Sequence, residues 1–313
     1  MKLNPQKTAF LFPGQGSQFL GMGRSLAEKY PLARDTFDEA DQILGFPLSQ
    51  IMWDDADALN DTANTQPALF VDSIAAWRVF SRLAPEFEPA SVGGHSLGEL
   101  TALTVAGSLS FSDGLRLVRK RGELMRHAGE IAPGGMAAIL GVDIPALEKI
   151  CAEASNENEV VQVANDNCPG QIVISGSKPA LERALVLAKG TGARRAVPLA
   201  VSIAPHSALM GAIQRDFDEA LVNVDLVEAS LKVVGNVGAK PLSTLEEIKA
   251  DLSAQLTSRV RWTETIQYMI SEGVETFLEL GSRNVLTGLL RRIDRSVQGI
   301  PLGEAKDFEE MFL

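Results

Sequence analysis

The chain has 313 residues, of which 45% are hydrophobic and 22% charged, and its formal net charge is −11. This length and composition predict a globular protein with either one large domain that carries an insert or two domains. The acidic balance argues against a nucleic-acid-binding protein, and no run approaches the ~18 consecutive apolar residues of a membrane-spanning helix.

The N-terminal part predicts one strand followed by two long helical stretches. TAFLFPGQGSQ predicts a buried strand that ends at Pro13, and not a signal peptide, because no small-residue cleavage site follows it. FLGMGRSLAEKYPLARDTFDEADQIL has helical periodicity. TQPALFVDSIAAWRVFSRL predicts a second long helix with Gln66 and Pro67 at its start, where proline is tolerated.

The next segment repeats the alternation of strand and helix. The small residues of PASVGGHS predict a strand that leads into a tight turn, and LGELTALTVAGSL continues as a helix. SFSDGLRLVRKRGELMRHAG predicts a further helix with Ser112 as its N-cap. Strands that alternate with helices indicate an α/β fold with a parallel sheet covered on both faces.

The order of elements changes near residue 131. Strand, helix, two strands joined by a turn, helix and strand follow one another, which is the β-α-β-β-α-β order of a ferredoxin-like unit. The segments are GGMAAILGV, DIPALEKICAEAS, VVQVANDNCPGQIVISGS, KPALERALVLAKGTG and ARRAVPLAV. We expect residues 131–202 to form an inserted subdomain within a larger domain of residues 1–130 and 203–313. That domain resumes with strands near LKVVGNV and TFLELG and a helix at RNVLTGLLRRI.

The pentapeptide Gly94-His95-Ser96-Leu97-Gly98 indicates a serine nucleophile. Between a strand and a helix, this pattern places the serine on a strained turn, and the glycines let neighbouring backbone pass without a Cβ clash. A serine on this turn can attack a carbonyl carbon, and the N–H of Leu97 at the helix start can bind the oxyanion. The alternative is an ordinary serine at the start of a helix.

A serine nucleophile needs a base, and the chain has three histidines. The side chain of His95 diverges from that of its neighbour Ser96, which favours a structural role, and His127 ends a charged helix in contact with solvent. His206 follows the insert in VSIAPHSALM, in a loop between a strand and a helix. It is the best base by elimination, and the alternative is a structural histidine beneath that loop.

The two cysteines, Cys151 and Cys168, have neither the spacing of zinc ligands nor the number of a disulfide framework. Buried or inert thiols are typical of a protein in a reducing compartment, so we expect a cytoplasmic protein.

Five stretches, in this order, resemble the malonyl-CoA:acyl carrier protein transacylases of fatty acid synthesis and the related acyltransferase domains of polyketide synthases. They are FLFPGQGSQFLGMG, GGHSLGEL, RKRGELM, ANDNCPGQIVISG and VLTGLLRRI. The match extends to about residue 293, and this family carries its small subdomain where the βαββαβ insert lies. We therefore expect an α/β-hydrolase-like large domain with a parallel sheet, and an inserted ferredoxin-like subdomain.

The resemblance implies a role for each matching residue. Ser96 matches the acylated nucleophile, and His206 matches the histidine base. Gln255, in AQLTSRVRW, matches a glutamine whose backbone carbonyl orients that base. Gln15, in PGQGSQ, matches the residue whose backbone N–H joins that of Leu97 in the oxyanion hole.

Arg121 matches the arginine that binds the free carboxylate of malonyl in this family. A planar guanidinium binds a carboxylate through two parallel hydrogen bonds, which lysine does not do. For the other basic residues of this helix the expectation is a solvated face. Asn165 and Asn167 match a stretch that lines the family's cleft, and we expect both to be turn residues.

Some positions depart from the family pattern. Malonyl-selective relatives usually have phenylalanine where this chain has Pro205. Relatives that accept methylmalonyl usually have serine there and glutamine at the position of Leu97, so Leu97 favours malonyl. Arg259 stands where proline is common, and Gly-Ser-Arg-Asn at 281–284 replaces the usual Gly-Pro-Gly-Lys.

The expected activity is a two-step exchange in which Ser96 takes malonyl from coenzyme A and passes it to the phosphopantetheine thiol of an acyl carrier protein. No metal or redox cofactor is expected, since the coenzyme A thioester is a substrate. We expect a monomer with no nucleic-acid or membrane partner. The alternatives are a serine hydrolase or thioesterase of α/β type, a trans-acting polyketide acyltransferase, and a non-catalytic module that docks the carrier protein.

Overall fold

The computed structural model describes residues 3–312 and divides their strands between two sheets. In chain order the strands are β1 (Thr8–Phe12), β2 (Ser91–Gly94), β3 (Gly134–Leu140), β4 (Val161–Cys168), β5 (Gln171–Ser177), β6 (Arg195–Pro198), β7 (Val233–Val234), β8 (Thr276–Leu280) and β9 (Gln298–Leu302).

Fourteen α-helices connect and cover these strands in the described part of the chain. They are α1 (Arg24–Lys29), α2 (Pro31–Leu44), α3 (Leu48–Asp54), α4 (Ala56–Asn60), α5 (Thr62–Leu83), α6 (Leu97–Val105), α7 (Phe111–Ile131), α8 (Ile144–Ala154), α9 (Lys178–Gly190), α10 (Gln214–Val222), α11 (Leu245–Gln255), α12 (Trp262–Ser271), α13 (Val285–Ile293) and α14 (Ala305–Phe312). Within residues 3–312 none of these helices combines the length and the apolarity needed to cross a membrane.

The larger sheet has the order β7-β2-β1-β8-β9, and every pair in it is parallel. Its central strand, β1, is buried on both faces. Phe10 and Phe12 pack into the core that α5 and α7 cover, whereas Ala9 and Leu11 face a second cluster around Trp262. Helices therefore cover both faces of a parallel sheet, as the alternation in the sequence predicts.

The smaller sheet has the order β4-β5-β3-β6, and all its pairs are antiparallel. Helices α8 and α9 cover one face of it and enclose a separate apolar core, in which Leu147 and Leu181 pack on Ile139 and Ile174. On the other face, Met136 and Val173 line a cavity that they share with loops of the large domain. The fold class is confirmed: an α/β protein with a parallel sheet and a separate antiparallel βαββαβ unit.

Pro67 lies inside α5 and not at its start, because that helix begins at Thr62, where Asp61 caps it by accepting from the N–H of Ala63. A proline within a helix leaves the carbonyl four residues earlier without its usual donor. Here that carbonyl belongs to Ala63, and it accepts a hydrogen bond from Nη1 of Arg119 at 3.0 Å. A tertiary contact thus replaces the missing helical bond.

Two further details differ from the sequence-based prediction. The periodic stretch after β1 is interrupted at Tyr30, which ends α1, and α2 begins with Pro31 at its first position. The N-cap of α7 is Ser110, whose hydroxyl accepts from the N–H of Asp113, whereas Ser112 lies within the helix.

Candidate active site

Ser96 lies at the sharp turn between β2 and α6, with φ 54° and ψ −106°, a conformation that L-residues rarely adopt. Its N–H donates to Oδ1 of Asn236 at 2.7 Å. A Cβ at Gly94 would lie 1.9 Å from the carbonyl oxygen of Gly98, and a Cβ at Gly98 would lie 2.1 Å from that of Phe12. Close backbone packing therefore requires both glycines of the motif.

His206 lies in the loop after β6, also with a positive φ of 59°. Its Nε2 is 2.8 Å from Oγ of Ser96, and its Nδ1 is 2.8 Å from the backbone oxygen of Gln255. A carbonyl only accepts, so Nδ1 carries the proton and Nε2 is free to accept the proton of the serine. Burial, together with the charge of Arg121, lowers the pKa of His206 to about 3, which keeps the imidazole neutral near pH 7.

Arg121 lies in the middle of α7 with 2% of its surface exposed. Its Nη2 donates to Oγ of Ser96 at 3.1 Å and to Oε1 of Gln255 at 2.8 Å, and its Nη1 donates to Oε1 of Gln66 at 2.7 Å. Burial lowers its pKa to about 10, so the guanidinium remains charged at neutral pH. Among residues 3–312 no carboxylate forms an ion pair with it. A buried charge without a paired carboxylate can bind an anionic ligand.

A cleft of about 320 Å³ opens over these groups, between the turn at Ser96 and the inner face of the small sheet. Gln15 and Leu97 line it, and in the described chain the backbone N–H of neither residue donates to another group. Apolar side chains form much of the remaining wall, namely Met125, Met136, Val173, Leu199, Val201, Ile203 and Pro205. The cleft thus joins the predicted site residues Gln15, Ser96, Leu97, Arg121 and His206, with Gln255 directly behind them.

The other two histidines take no part in this contact. His95 is partly buried at the edge of the cleft, its Nε2 lies 2.9 Å from Oδ1 of Asn167, and its ring packs edge-on against Trp262. His127 is exposed and lies 3.3 Å from a carboxylate oxygen of Glu130. These surroundings agree with the structural and solvated roles predicted for them.

Asn165 and Asn167 are not turn residues, contrary to the prediction. Both lie within β4 and line the cleft. The backbone of Asn165 also forms a parallel bridge with Val260 of the large domain. The run of asparagine and aspartate in ANDN is typical of a turn. Here backbone pairing with β5, with an irregular register, holds it in a strand instead.

Some contributors to the site were not found from the sequence. Asn236, which supports the turn at Ser96, follows a two-residue strand and carries no local signal. Gln66, which contacts Arg121, stood out in the sequence only because Pro67 follows it, and that pair was used to predict the start of a helix. Glu99 lies three residues after Ser96, where a glutamate often accepts from the backbone N–H of the N-cap residue. Its side chain instead accepts from Nε2 of Gln255 at 2.6 Å.

A larger groove of about 500 Å³ lies between α8 and the segment before α12, and it lacks a comparable nucleophile. Cys151 lines it, but burial raises the pKa of this thiol to about 12, so it is not a thiolate at neutral pH. Arg259, one of the departures from the family pattern, crosses this groove and pairs with Glu148 at 3.1 Å.

Comparison with known proteins agrees with this geometry. The family model described as "Acyl transferase domain" matches residues 9–305. The chain belongs to the acyl transferase domain family. Among curated relatives of this acyltransferase, the malonyl CoA-acyl carrier protein transacylase of Bacillus subtilis (strain 168) is 46% identical over 306 residues, covering 97% of this chain and 95% of the relative. The protein of the same name from Escherichia coli (strain K12) is 42% identical over 297 residues, covering 95% and 96%.

Solved structures resemble the acyltransferase over nearly its whole length. An acyl carrier protein S-malonyltransferase from Vibrio cholerae is 42% identical and has a TM-score of 0.94. The match covers 97% of this chain and 99% of that one. A malonyl-transacylase solved in complex with its type II polyketide acyl carrier protein is 38% identical, with a TM-score of 0.94 and coverage of 98% of this chain and 99% of that one.

Proposed function

We propose that this acyltransferase transfers a malonyl group from coenzyme A to the phosphopantetheine thiol of an acyl carrier protein, and so supplies extender units for fatty acid synthesis. The relatives named malonyl CoA-acyl carrier protein transacylase, and the malonyl-transacylase solved with its acyl carrier protein, support this choice of substrates. The observation that carries the proposal is the position of Arg121. Its guanidinium is buried, charged, free of an ion pair in the described residues, and 3.1 Å from Oγ of Ser96.

In the first half-reaction, Oγ of Ser96 attacks the thioester carbonyl and its proton passes to Nε2 of His206, which lies 2.8 Å away. The backbone N–H groups of Gln15 and Leu97 bind the oxyanion. The carbon–sulfur bond then breaks, and the proton on Nε2 moves to the sulfur of coenzyme A. The products are a malonyl-serine ester and free coenzyme A.

In the second half-reaction, the carrier protein's thiol gives its proton to Nε2 of His206 and its sulfur attacks the ester carbonyl. The bond from that carbon to Oγ of Ser96 breaks, and the serine recovers the proton. Throughout, the backbone oxygen of Gln255 holds the proton on Nδ1, so that Nε2 always faces the reacting atoms.

Arg121 selects the acyl group in this proposal. An acyl chain on Ser96 begins next to the guanidinium, and malonyl ends in a carboxylate two carbons from the ester carbonyl. A bidentate pair between guanidinium and carboxylate has the right geometry and charge for this position. A hydrolase of neutral esters would gain nothing from a buried cation here.

The hydrogen-bond partner of Nδ1 of His206 favours an acyltransferase over the alternative, a serine hydrolase. Hydrolases of α/β type use a Ser-His-Asp/Glu triad. In this chain the partner of His206 is a backbone carbonyl, and in the described chain no carboxylate forms a hydrogen bond with the imidazole. A trans-acting polyketide acyltransferase would use the same site, so that alternative differs in the carrier protein served.

We extend the proposal to the setting of the enzyme. Serine, imidazole and backbone amides suffice for the chemistry, so it needs no resident metal or redox cofactor. The acidic chain with free cysteines suits a cytoplasmic monomer without nucleic-acid or membrane partners. We place the domain boundaries at residues 1–130 with 203–313 and at 131–202, which the positions of β3 and β6 support.

The test is mass spectrometry of the protein after incubation with malonyl-CoA. We expect the wild type to gain one malonyl group on Ser96 and to lose it on addition of phosphopantetheinylated carrier protein. Ser96→Ala should gain none, while Ser271→Ala, at an exposed serine of α12, should behave as wild type. Loss of the label to water at the same rate with and without carrier protein would establish the hydrolase. Absence of label on the wild type would favour the docking module.

A further inference from the structure

The side-chain amide of Gln255 links Arg121 to a buried carboxyl group that the proposed mechanism does not use. Its Oε1 accepts from Nη2 of Arg121 at 2.8 Å. Its Nε2 donates to Oε2 of Glu99 at 2.6 Å and to the backbone oxygen of Ser96 at 3.0 Å. The residue whose backbone orients the histidine therefore also contacts the arginine and the nucleophile's own backbone through its side chain.

The direction of this amide determines what Arg121 can bind. A guanidinium has only donors, so Gln255 must present its oxygen to Arg121 and its NH₂ group to Glu99. If the amide turned over, two sets of N–H donors would face each other in a buried site, and Arg121 would lose an acceptor. The guanidinium would then leave the position from which it faces the acyl group on Ser96.

Glu99 supplies an acceptor that is fixed in place. Its side chain is fully buried in the first turn of α6. Its Oε2 accepts from Gln255, and in the described chain Oε1 has no donor, although the carboxyl of Asp251 lies beside it. A proton on Oε1 would satisfy this oxygen as a donor and leave Oε2 free to accept from Gln255. Burial, and after it the nearby carboxyl group of Asp251, raises the pKa of Glu99 well above its usual range, in agreement with a protonated Glu99.

We propose that Glu99 is a positioning residue for acyl selection: through the amide of Gln255 it fixes the orientation of Arg121 for substrates whose acyl group ends in a carboxylate. This inference rests on the proposed function, since it concerns the same cleft. It adds a residue that touches neither substrate nor nucleophile side chain, and it gives the side chain of Gln255 a role separate from that of its backbone carbonyl.

The test is the ratio of kcat/KM for malonyl-CoA to kcat/KM for acetyl-CoA, measured with carrier protein as acceptor. Glu99→Met fills a similar volume without a hydrogen-bond acceptor that can hold the amide, and we expect it to lower this ratio about tenfold, the loss of roughly one hydrogen bond to a charged group. Glu99→Gln reproduces the acceptor toward Gln255 and a donor toward Asp251. We expect it to keep the ratio within about twofold of wild type, as a rescue by the conservative variant.

Gln255→Met is the second variant, because it removes both ends of the amide and keeps the backbone carbonyl on His206. We expect it to lower the ratio as Glu99→Met does. A wild-type ratio in Glu99→Met, with or without an equal loss of rate for both thioesters, would overturn the proposal in favour of a purely structural Glu99. If Glu99→Met does not fold, a wild-type ratio in Gln255→Met overturns it. A wild type that transfers no malonyl would instead refute the proposed function.

Discussion

The large domain and the small sheet, which form opposite walls of the cleft, differ in what they contribute. The large domain brings Ser96, Arg121 and His206 together, and two of these residues have backbone conformations that are rare for L-residues. The small sheet contributes strand residues with neutral side chains that line the cleft, among them Asn165 and Val173. The reactive groups thus lie on the large-domain wall of the cleft, whereas the small-sheet wall supplies neutral side chains that define the shape of the cleft.

This difference follows from the two kinds of sheet. In a parallel sheet the carboxyl ends of the strands meet at one edge, where loops from distant parts of the chain converge on one point. An antiparallel sheet covered on one face presents a broad second face to a ligand. We therefore expect substitutions on the large-domain wall to change the rate of chemistry, and substitutions on the small-sheet wall to change the binding of the thioester.

The largest expected effect is that of His206→Ala. Both half-reactions should slow by roughly 10²–10⁴, the usual contribution of a positioned general base. The measurement is the single-turnover rate of acylation by malonyl-CoA and of transfer to the carrier protein, with exposed His127 replaced by alanine as the control. A rate within a few-fold of wild type would remove His206 from the mechanism. It would also contradict the expectation that the large-domain wall carries the chemistry.

Arg121→Ala should have the next largest effect, and it should be selective. Loss of the pair with the malonyl carboxylate should reduce transition-state stabilisation by about 2–4 kcal/mol, while acetyl transfer should hold steady or rise because acetyl has no carboxylate. The measurement is kcat/KM for both thioesters, and Arg116→Ala on the exposed face of α7 is the matched control. Equal losses for both thioesters would mean that Arg121 supports the fold or binds coenzyme A.

The smallest expected effect comes from the opposite wall. Leu199 follows β6, lines the cleft and is 39% exposed, so Leu199→Ala removes contact area without opening the core. We expect KM for malonyl-CoA to rise by about fivefold, equivalent to roughly 1 kcal/mol of apolar contact, with the acylation rate at saturation unchanged. Val186→Ala, on the outer helix α9, is the control. A fall in the saturated rate would show that the small sheet takes part in the chemistry.

The predictability of the site depended on how local its determinants are. The turn at Ser96 could be predicted because its strand, its two glycines and its helix lie within one short segment. His206 could be reached from the sequence since only three histidines compete. The contacts of Gln66, Glu99 and Asn236 could not, because each depends on the packing of elements far apart in the chain.

The fold was predictable to the same degree. The alternation of strands and helices and the βαββαβ order are local patterns, and both are confirmed. The position of Pro67 inside α5 was not predictable, because the carbonyl it frees is satisfied by Arg119 from another helix. Strand β9 also went unrecognised, since QGIPL contains glycine and proline and pairs only along an edge.

The backbone carbonyl behind His206 bears on which acceptor takes the acyl group. A carboxylate in that position would stabilise the imidazolium and make the imidazole a stronger base, whereas a neutral carbonyl fixes the tautomer with less gain in basicity. Proton transfer to such a base is far less unfavourable from a thiol, with a pKa near ~8.5, than from water, with a pKa of about 15.7. In the proposed mechanism the acidity of the incoming nucleophile thus protects the ester on Ser96 from water until a thiol arrives.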